Sequence, residues 1–467
     1  MGGLTGIRAM PCNRSDPSEM TARVNQLPPL EPAGLLRAVG PWSMVAVGIN
    51  GIIGAGIFGL PSKAFAAAGV WSLLGMAVVV VAAMLIGLAF AEVSSRYSST
   101  GGPYLYTLDT FGPLAGFQVG WLRWLSGLMA WAANAILLTD YLSYGGAGID
   151  GGWPRAAVLA GVTAVFTGVH YVGVRRAALV SNLMTLGKLA PMAVFIGVGL
   201  FHLNPAPFQA PPALEFDAVA ASAILMMYAF AGFESLPIMA GEVGNPTRTM
   251  PVALLGALGV VTVFYLLIMV VCIGTLPGLG ESARPVADAA QGFLGGWGGW
   301  LMAVGAVISI AGNLGGQVFG TSRTLYAMAE QGQIPGYFGR VHERFRTPHV
   351  AIVVTMAATL ALALSGTFVG LLVLSTMTRI MLYAATCAAL PVLRRREGGS
   401  RARFHLPGGR WIAGAGLVLS LGLISRNSFR DLWLLAGALV AGWLIYRVSL
   451  RLKGSGTIAE RPSHARS

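Results

Sequence analysis

The stretch 51-GIIGAGIFGLP-61 is the most informative part of this sequence. Residues 54–59 match the G-x-G-x-x-G pattern of loops that hold the pyrophosphate of a dinucleotide. Such a loop follows a short strand, opens a helix and is trailed about 20 residues later by an acidic residue. Here the pattern lies in an apolar segment that extends back past Trp42, Pro61 follows at once, and positions 70–90 contain no acidic residue. The context therefore argues against a nucleotide loop.

The composition indicates a membrane protein. Of the 467 residues, 55% are hydrophobic and only 10% are charged, whereas soluble proteins are about 25% charged. The mean hydropathy is +0.69 and the pI is about 10.2. The basic residues lie in short segments between apolar runs, which is typical of membrane orientation and argues against nucleic-acid binding. Cys12, Cys272 and Cys387 lie far apart, so they predict neither a disulfide nor a metal site, and no cofactor is expected.

Twelve segments are long and apolar enough to be membrane-crossing helices, which need about 20 mostly apolar residues. Residues 365–367 (Ser-Gly-Thr) separate the ninth from the tenth, and the eleventh is short. The spans lie at roughly 41–66, 71–94, 114–144, 154–171, 177–202, 218–241, 251–276, 296–328, 350–366, 368–393, 411–425 and 432–450.

The distribution of basic residues predicts the orientation of these spans. With the N-terminus in the cytoplasm, the inner segments hold 22 Lys and Arg residues, and the outer segments hold five: Lys63, Arg155, Arg284, Arg426 and Arg430. Positive residues accumulate on the cytoplasmic side of membrane proteins. Residues 1–36 contain no apolar signal sequence. The sequence thus predicts a multi-pass protein of the cell membrane, the inner membrane in a bacterium, with both termini cytoplasmic.

The glycines of the opening stretch predict an interrupted helix inside the membrane. Gly54 and Gly56 each weaken a helix by about 1 kcal/mol relative to Ala, and freed N–H groups at the start of the following half-helix suit an anionic group such as a carboxylate. The alternative is close packing of small residues between helices. A second interruption favours the first interpretation, because 228-YAFAGFESLP-237 places Gly232, Glu234 and Pro237 in span six. Interrupted helices at corresponding places in two halves point to a transporter's binding site.

The two interrupted spans each open a group of five spans. An odd number of crossings per group inverts the second group relative to the first. The sequence therefore predicts an all-α polytopic membrane protein with 12 transmembrane helices, a 5+5 inverted repeat and discontinuous helices 1 and 6. The predicted regions are a cytoplasmic tail at 1–36, the first repeat at 37–202, the second repeat at 203–393, helices 11 and 12 at 394–450, and a second cytoplasmic tail at 451–467.

Three motifs resemble the amino acid–polyamine–organocation (APC) permease family. They are 51-GIIGAGIFGLPSKA-64, then 228-YAFAGFES-235 with 241-GEVGNPTRTMP-251, and 323-RTLYAMAEQGQIPGYFGRVHERFRTP-348. The resemblance covers about residues 37–450. It implies the inverted-repeat fold shared with the sodium-coupled leucine transporters and an alternating-access mechanism.

The same resemblance implies a binding site for an amino acid substrate. The substrate carboxylate would meet the N–H groups of Ala55 and Gly56, next to Gly54, and the α-ammonium would meet the carbonyls of Ile52 and of Phe230 or Ala231. Tyr228 matches an aromatic gate position, and Asn134 matches an asparagine that recognises the substrate side chain in the arginine/agmatine exchanger branch. Gln317 stands at a pocket position that is aromatic in that branch, which argues against an arginine-like specificity.

Charged residues inside the spans need a reason, because each costs about 2.5–3.5 kcal/mol to insert. Lys188 in span five is interpreted as a coupling residue, since relatives with this lysine use it where sodium-driven relatives bind an ion; the alternative is snorkelling to the interface. Glu234 is either a coupling and gating group or a structural cap. We expect Arg123 to snorkel at the inner end of span three and Asp140 to reach water, and we expect Arg379 to have an inward-facing partner.

These observations predict a secondary active transporter of amino acids, either proton-coupled or an exchanger. The few polar side chains of the predicted pocket, Asn134 and Gln317, favour a neutral substrate; a cationic amino acid or polyamine exchanger is the alternative. A channel or a transporter-like sensor is a less favoured interpretation. The sequence shows no nucleophile–base pair or paired acids at usable spacing, so it does not predict an enzyme. The expected partners are the amino acid, the lipid bilayer and, as a candidate coupling ion, protons, with no nucleic acid and with the chain as a monomer or homodimer.

Overall fold

The computed structural model describes residues 40–98, 101–143, 149, 151–172, 177–209, 213–243, 245–396, 402–425 and 428–454. The predicted N-terminal tail lies outside these residues, and so does the predicted C-terminal tail beyond residue 454.

The described chain is built of helices. Several of them begin at a proline, namely those that start at Pro41, Pro113, Pro246 and Pro285, because proline has the φ of a helix and its missing N–H would be unpaired there in any case. The α-helices are α1 (Pro41–Ile52), α2 (Gly56–Ala68), α3 (Ser72–Ser94), α4 (Pro103–Phe111), α5 (Pro113–Leu142), α6 (Gly152–Val172), α7 (Ala177–Gly199), α8 (Ala206–Gln209), α9 (Phe216–Phe230), α10 (Pro246–Thr275), α11 (Pro285–Glu330), α12 (His349–Ser365), α13 (Phe368–Arg396), α14 (Gly409–Ser425) and α15 (Phe429–Gly454). Short 3-10 helices include Phe233–Glu242.

The helices are those of a polytopic membrane protein. Within the described residues, eight segments are long and apolar enough to cross a membrane, and α12 and α14 are shorter apolar helices. Many helices are apolar on all sides, as a bundle embedded in lipid requires. Helices lie at every predicted span; the count of twelve crossings and the inverted repeat stay predictions.

Both predicted interruptions are present. Helix α1 ends at Ile52 and α2 begins at Gly56, so residues 53–55 form a bend inside span one. Helix α9 ends at Phe230, and the chain turns at Gly232, with φ of 128°, before the 3-10 helix Phe233–Glu242. The two breaks lie against each other, because a Cβ on Gly232 would be 2.3 Å from the carbonyl oxygen of Gly51. Only glycine fits there.

The long helices hold the interrupted ones in place. Helix α1 packs against α7 and α10, and α2 packs against α9. Helix α5 packs against both α11 and α13. This arrangement brings residues from α5, α7, α10, α11 and α13 to the two breaks.

Two local features differ from the predicted spans. Helix α4 lies between spans two and three, where no element was predicted. Helix α11 begins at Pro285 and contains a break at Gly295, with φ of 71°; the predicted start of span eight at 296 is therefore the residue just after that break. Both elements contain polar residues among apolar ones, which hid them from a hydropathy criterion.

A buried carboxylate connects α3 to later parts of the chain. Glu92 forms ion pairs with Arg96 at 2.9 Å and with Arg394 at 2.5 Å, and it accepts a hydrogen bond from the Leu406 N–H at 3.0 Å. Arg394 in turn donates to the Leu406 carbonyl at 2.7 Å. The cluster joins the ends of α3 and α13 to the segment that precedes α14.

Candidate functional site

The end of α1 leaves backbone carbonyls that need partners, since the last four C=O groups of any helix have none within the helix. Side chains from three other helices supply them. Asn313 Nδ2 donates to the carbonyls of Asn50 and Gly51 at 3.3 and 2.5 Å. Tyr265 Oη donates to the Ile52 carbonyl at 3.3 Å, and Ser309 Oγ donates to the Ile53 carbonyl at 3.2 Å.

Lys188 completes this set of donors. Its Nζ donates to the carbonyls of Ile53 at 2.6 Å, Asn50 at 3.2 Å and Ser309 at 3.3 Å. The side chain is fully buried, so the alternative that Lys188 snorkels to the interface is wrong. A cation is also favourable at the negative end of the α1 dipole. Lys188 therefore ties α7 and α11 to the end of the first half-helix.

The start of α2 has the opposite character. The N–H groups of Gly54, Ala55 and Gly56 form no backbone hydrogen bond with the described part of the chain, and the first bonds of α2 run from Phe58 and Gly59 to the Ala55 carbonyl, at 3.1 and 3.2 Å. The positive end of the α2 dipole thus carries N–H donors without a backbone partner. Such an end binds anions such as carboxylates.

The glycines at this break also have a packing role. A Cβ on Gly54 would lie 2.7 Å from the Asn313 side chain, and a Cβ on Gly56 would lie 2.8 Å from the Ala229 Cα on α9. The two interpretations of the sequence, ligand binding and close packing, are therefore compatible at the same residues. A larger residue at Gly56 would disturb the packing of α2 on α9 whatever binds there.

A small cavity lies between the two breaks. In this conformation it is nearly closed, with space for no more than about one water molecule. Arg379 is the one charged residue among those that line it. The lining residues are Ile52, Gly54, Ala55, Gly56, Asn134, Tyr228, Ala231, Asn313, Gln317 and Arg379. The cavity thus brings together every residue predicted for substrate binding except Phe230, which is buried and packs edge-on against Tyr265.

The polar wall of the cavity is a chain of hydrogen-bonded side chains. Asn134 Nδ2 donates to Asn313 Oδ1 at 2.8 Å, and Gln317 Nε2 donates to the same oxygen. Tyr228 Oη donates to Asn134 Oδ1 at 2.9 Å and lies 3.2 Å from the Ala130 carbonyl. These contacts join α5, α9 and α11 around the cavity.

Glu234 and Arg379 form a buried ion pair beside the cavity. Arg379 Nη1 lies 2.6 Å from Glu234 Oε1, and its Nε donates to Ser126 Oγ at 2.8 Å. Glu234 Oε2 accepts hydrogen bonds from the Gly232 N–H at 2.8 Å and from Tyr383 Oη at 3.0 Å. Glu234 therefore caps the second half-helix, which is one of its two predicted roles, and is the inward-facing partner expected for Arg379.

Arg123 does not lie at the inner interface as predicted. Its side chain is buried and donates to Ser235 Oγ at 2.8 Å. The expectation that it snorkels to the interface is wrong, because the side chain is buried on a helix that packs against α11, α12 and α13. Asp140 matches its expectation better: it pairs with Arg155 at 2.8 Å, and both side chains are partly exposed.

A family model for amino acid permeases matches residues 39–442 of this chain. The chain belongs to the amino acid permease family. It is therefore a membrane transport protein, and neither the family nor its relatives point to an enzyme.

Three relatives show the range of this family. The branched-chain amino acid permease BcaP of Bacillus subtilis is 27% identical over 433 residues, covering 87% of this chain and 92% of its own. The serine/threonine exchanger SteT of the same organism is 29% identical over 449 residues, covering 91% and 99%. The polyamine transporter PUT1 of Oryza sativa subsp. japonica is 30% identical over 317 residues, covering 67% and 59%.

The central residue of the permease's polar wall, Asn313, was not predicted from the sequence. Asn313 forms hydrogen bonds with two carbonyls at the end of α1 and with two of the predicted pocket residues. A signal for it existed, because Asn313 lies four residues before Gln317, so both side chains lie on one face of α11, and an asparagine in an apolar span is itself unusual. Three further polar residues were not predicted, because the hydrogen-bond partner of each lies far away in sequence. They are Asn50, Tyr265 and Ser309.

Proposed function

We propose that this permease carries neutral amino acids across the cell membrane by alternating access, as a proton symporter or an exchanger. The observation that supports this most is the open start of α2. Ala55 and Gly56 line the cavity, and their N–H groups have no backbone partner in the described part of the chain; a substrate carboxylate is the group that such a helix start attracts. The carbonyls of Ile52, Phe230 and Ala231 at the facing helix ends are the proposed partners of the α-ammonium.

The residues that line the cavity support a neutral substrate and argue against the cationic alternative. Arg379 is the one charged side chain among them, and its charge is compensated by Glu234. A lysine, arginine or polyamine would bring a further positive charge, and none of the lining residues is acidic and able to pair with it. The polyamine alternative would require an acidic lining residue, and Glu234 is already paired with Arg379.

The proposal includes the predicted architecture: 12 crossings with both termini cytoplasmic, repeats at 37–202 and 203–393, and helices 11 and 12 at 394–450. Lys188 and Glu234 are proposed to couple substrate binding to movement of the half-helices, since each contacts the broken end of an interrupted helix. Protons are the proposed coupling ion if the carrier is a symporter, and the protein acts as a monomer or homodimer.

Purified protein in liposomes tests this function. Uptake of a panel of labelled neutral, cationic and acidic amino acids and of polyamines would be measured with and without a pH gradient, and again with unlabelled amino acid inside to detect exchange. We expect neutral amino acids to be taken up, and Lys188→Ala to abolish the response to the pH gradient or the exchange. Uptake driven by sodium and unaffected by Lys188→Ala would contradict the coupling proposal.

The carboxylate site is tested without a mutation, because substitution of Gly56 would disturb its packing on Ala229. A transported amino acid and its methyl ester would compete with the labelled substrate. The ester keeps the side chain and ammonium but carries no negative charge, so we expect it to compete at least about tenfold less well. Equal competition would contradict the assignment of the α2 N-terminus to the carboxylate.

A further inference from the structure

The orientation of each amide in the cavity wall follows from hydrogen-bond chemistry alone. Asn313 Nδ2 faces the carbonyls of Asn50 and Gly51, which only accept hydrogen bonds, so this end of Asn313 must be the NH₂ group. Its Oδ1 is therefore the end that faces Asn134 and Gln317.

That orientation fixes the two neighbouring amides. Each must present its NH₂ group to Asn313 Oδ1, because two amide oxygens in contact would repel. The oxygen of Asn134 then accepts from Tyr228 Oη at 2.9 Å. The oxygen of Gln317, by contrast, is buried and has no hydrogen-bond partner in the part of the chain that the structure describes.

From this polarity we infer that Gln317 Oε1 is a specificity determinant that selects substrates whose side chain donates a hydrogen bond, such as threonine, serine, asparagine or glutamine. Gln317 lines the cavity, and an unpaired buried acceptor is costly until a donor reaches it. A site that hydrogen-bonds a substrate hydroxyl discriminates strongly against the analogue without it, because the site's own polar group is then left unpaired. This inference rests on the proposed amino acid transport and narrows its substrate class.

Threonine and valine are the decisive pair, since they have nearly the same shape and differ by a hydroxyl in place of a methyl group. The experiment measures uptake kcat/KM for both in liposomes containing the wild-type protein, Gln317→Met or Thr321→Val. Gln317→Met removes the acceptor and keeps an unbranched side chain of similar length, while Asn313 Oδ1 retains its bond from Asn134. Thr321 lies one turn further along α11, also has a buried oxygen without a partner, and does not line the cavity, so it is the matched control.

We expect the wild type and Thr321→Val to prefer threonine over valine by about tenfold or more, and Gln317→Met to bring the ratio close to one. The ratio is internal to each preparation, so lower expression or stability of a variant does not change it. A wild-type ratio near one, or a ratio that Gln317→Met leaves intact, would overturn the inference while uptake of neutral amino acids still supports the proposed function. A uniform loss of both substrates per folded protein in Gln317→Met, with the ratio unchanged, would also overturn it, because the oxygen would then not distinguish the two side chains. Absence of any amino acid uptake by the wild type would instead refute the proposed function.

Discussion

The Ile53 carbonyl has two donors, and this redundancy leads to a measurable coupling. It accepts from Lys188 Nζ at 2.6 Å and from Ser309 Oγ at 3.2 Å. Lys188→Met alone leaves the serine bond, and Ser309→Ala alone leaves the lysine bond. The double variant leaves this buried acceptor without either donor, which costs about 1–3 kcal/mol.

The single variants are less informative than their combination. Lys188→Met loses three hydrogen bonds but also removes the cost of burying an ammonium group, and these effects oppose each other. The other two carbonyls that Lys188 contacts keep partners: Asn50 keeps Asn313 Nδ2, and Ser309 keeps the backbone bond of its own helix. The expected coupling energy, beyond the sum of the single effects, is therefore the roughly 1–3 kcal/mol of the one carbonyl that loses both donors.

The assay is equilibrium unfolding of the purified protein in mixed detergent–SDS micelles, followed by tryptophan fluorescence. Lys188→Met combined with Ser322→Ala is the control pair, since Ser322 lies 13 residues further along α11, about 20 Å away at 1.5 Å per residue, and donates to carbonyls of its own helix. This pair should be additive within about 0.5 kcal/mol. Additivity of the Lys188 and Ser309 variants to the same precision would refute the assignment of both donors to one carbonyl.

Further predictions use the same unfolding measurement. Gly232→Ala should cost more than Gly278→Ala: both positions have a positive φ, of 128° and 74°, but an added Cβ has nothing within 4 Å at Gly278 and meets backbone at 2.3 Å at Gly232. Equal losses would contradict the close contact between the breaks. Glu234→Gln should destabilise by about 3–5 kcal/mol, because it leaves the Arg379 guanidinium buried without its anion. Asp140→Asn, in a partly exposed ion pair, should lower the free energy of unfolding by less than about 1 kcal/mol. A comparable loss in Glu234→Gln and Asp140→Asn would contradict the burial of the Glu234–Arg379 pair.

The features that the sequence predicted best are those with a local signal. Gly54, Gly56 and Gly232 interrupt apolar runs, and a charge such as Lys188 in the middle of a span demands an interior partner. Such a signal involves only the residue and its immediate neighbours in the sequence. The structure accordingly has both breaks at the predicted residues, and it buries Lys188 against the first of them.

The partners of these residues could not be predicted, because they are set by packing between distant helices. Arg379 and Glu234 are 145 residues apart in sequence, and no pattern in either span indicates the other. Arg123 shows a second limit: its position in span three gives an approximate depth in the membrane but not which helices surround it there. Asn313 was within reach, since its four-residue spacing from Gln317 was visible in the sequence.

The contrast between the half-helix ends gives the physical reason to place a ligand at one of them. Non-helical backbone at membrane depth is tolerated when protein groups or a cavity satisfy it. The C-terminal end of α1 is satisfied by side chains at all four of its last carbonyls, and the turn at Gly232 is capped by Glu234. The start of α2 has no such donor-accepting side chain among its described contacts, although it faces the cavity. Because the fold satisfies the neighbouring ends with Lys188, Asn313 and Glu234 and leaves this one open, we propose that an anionic group from outside the chain completes it.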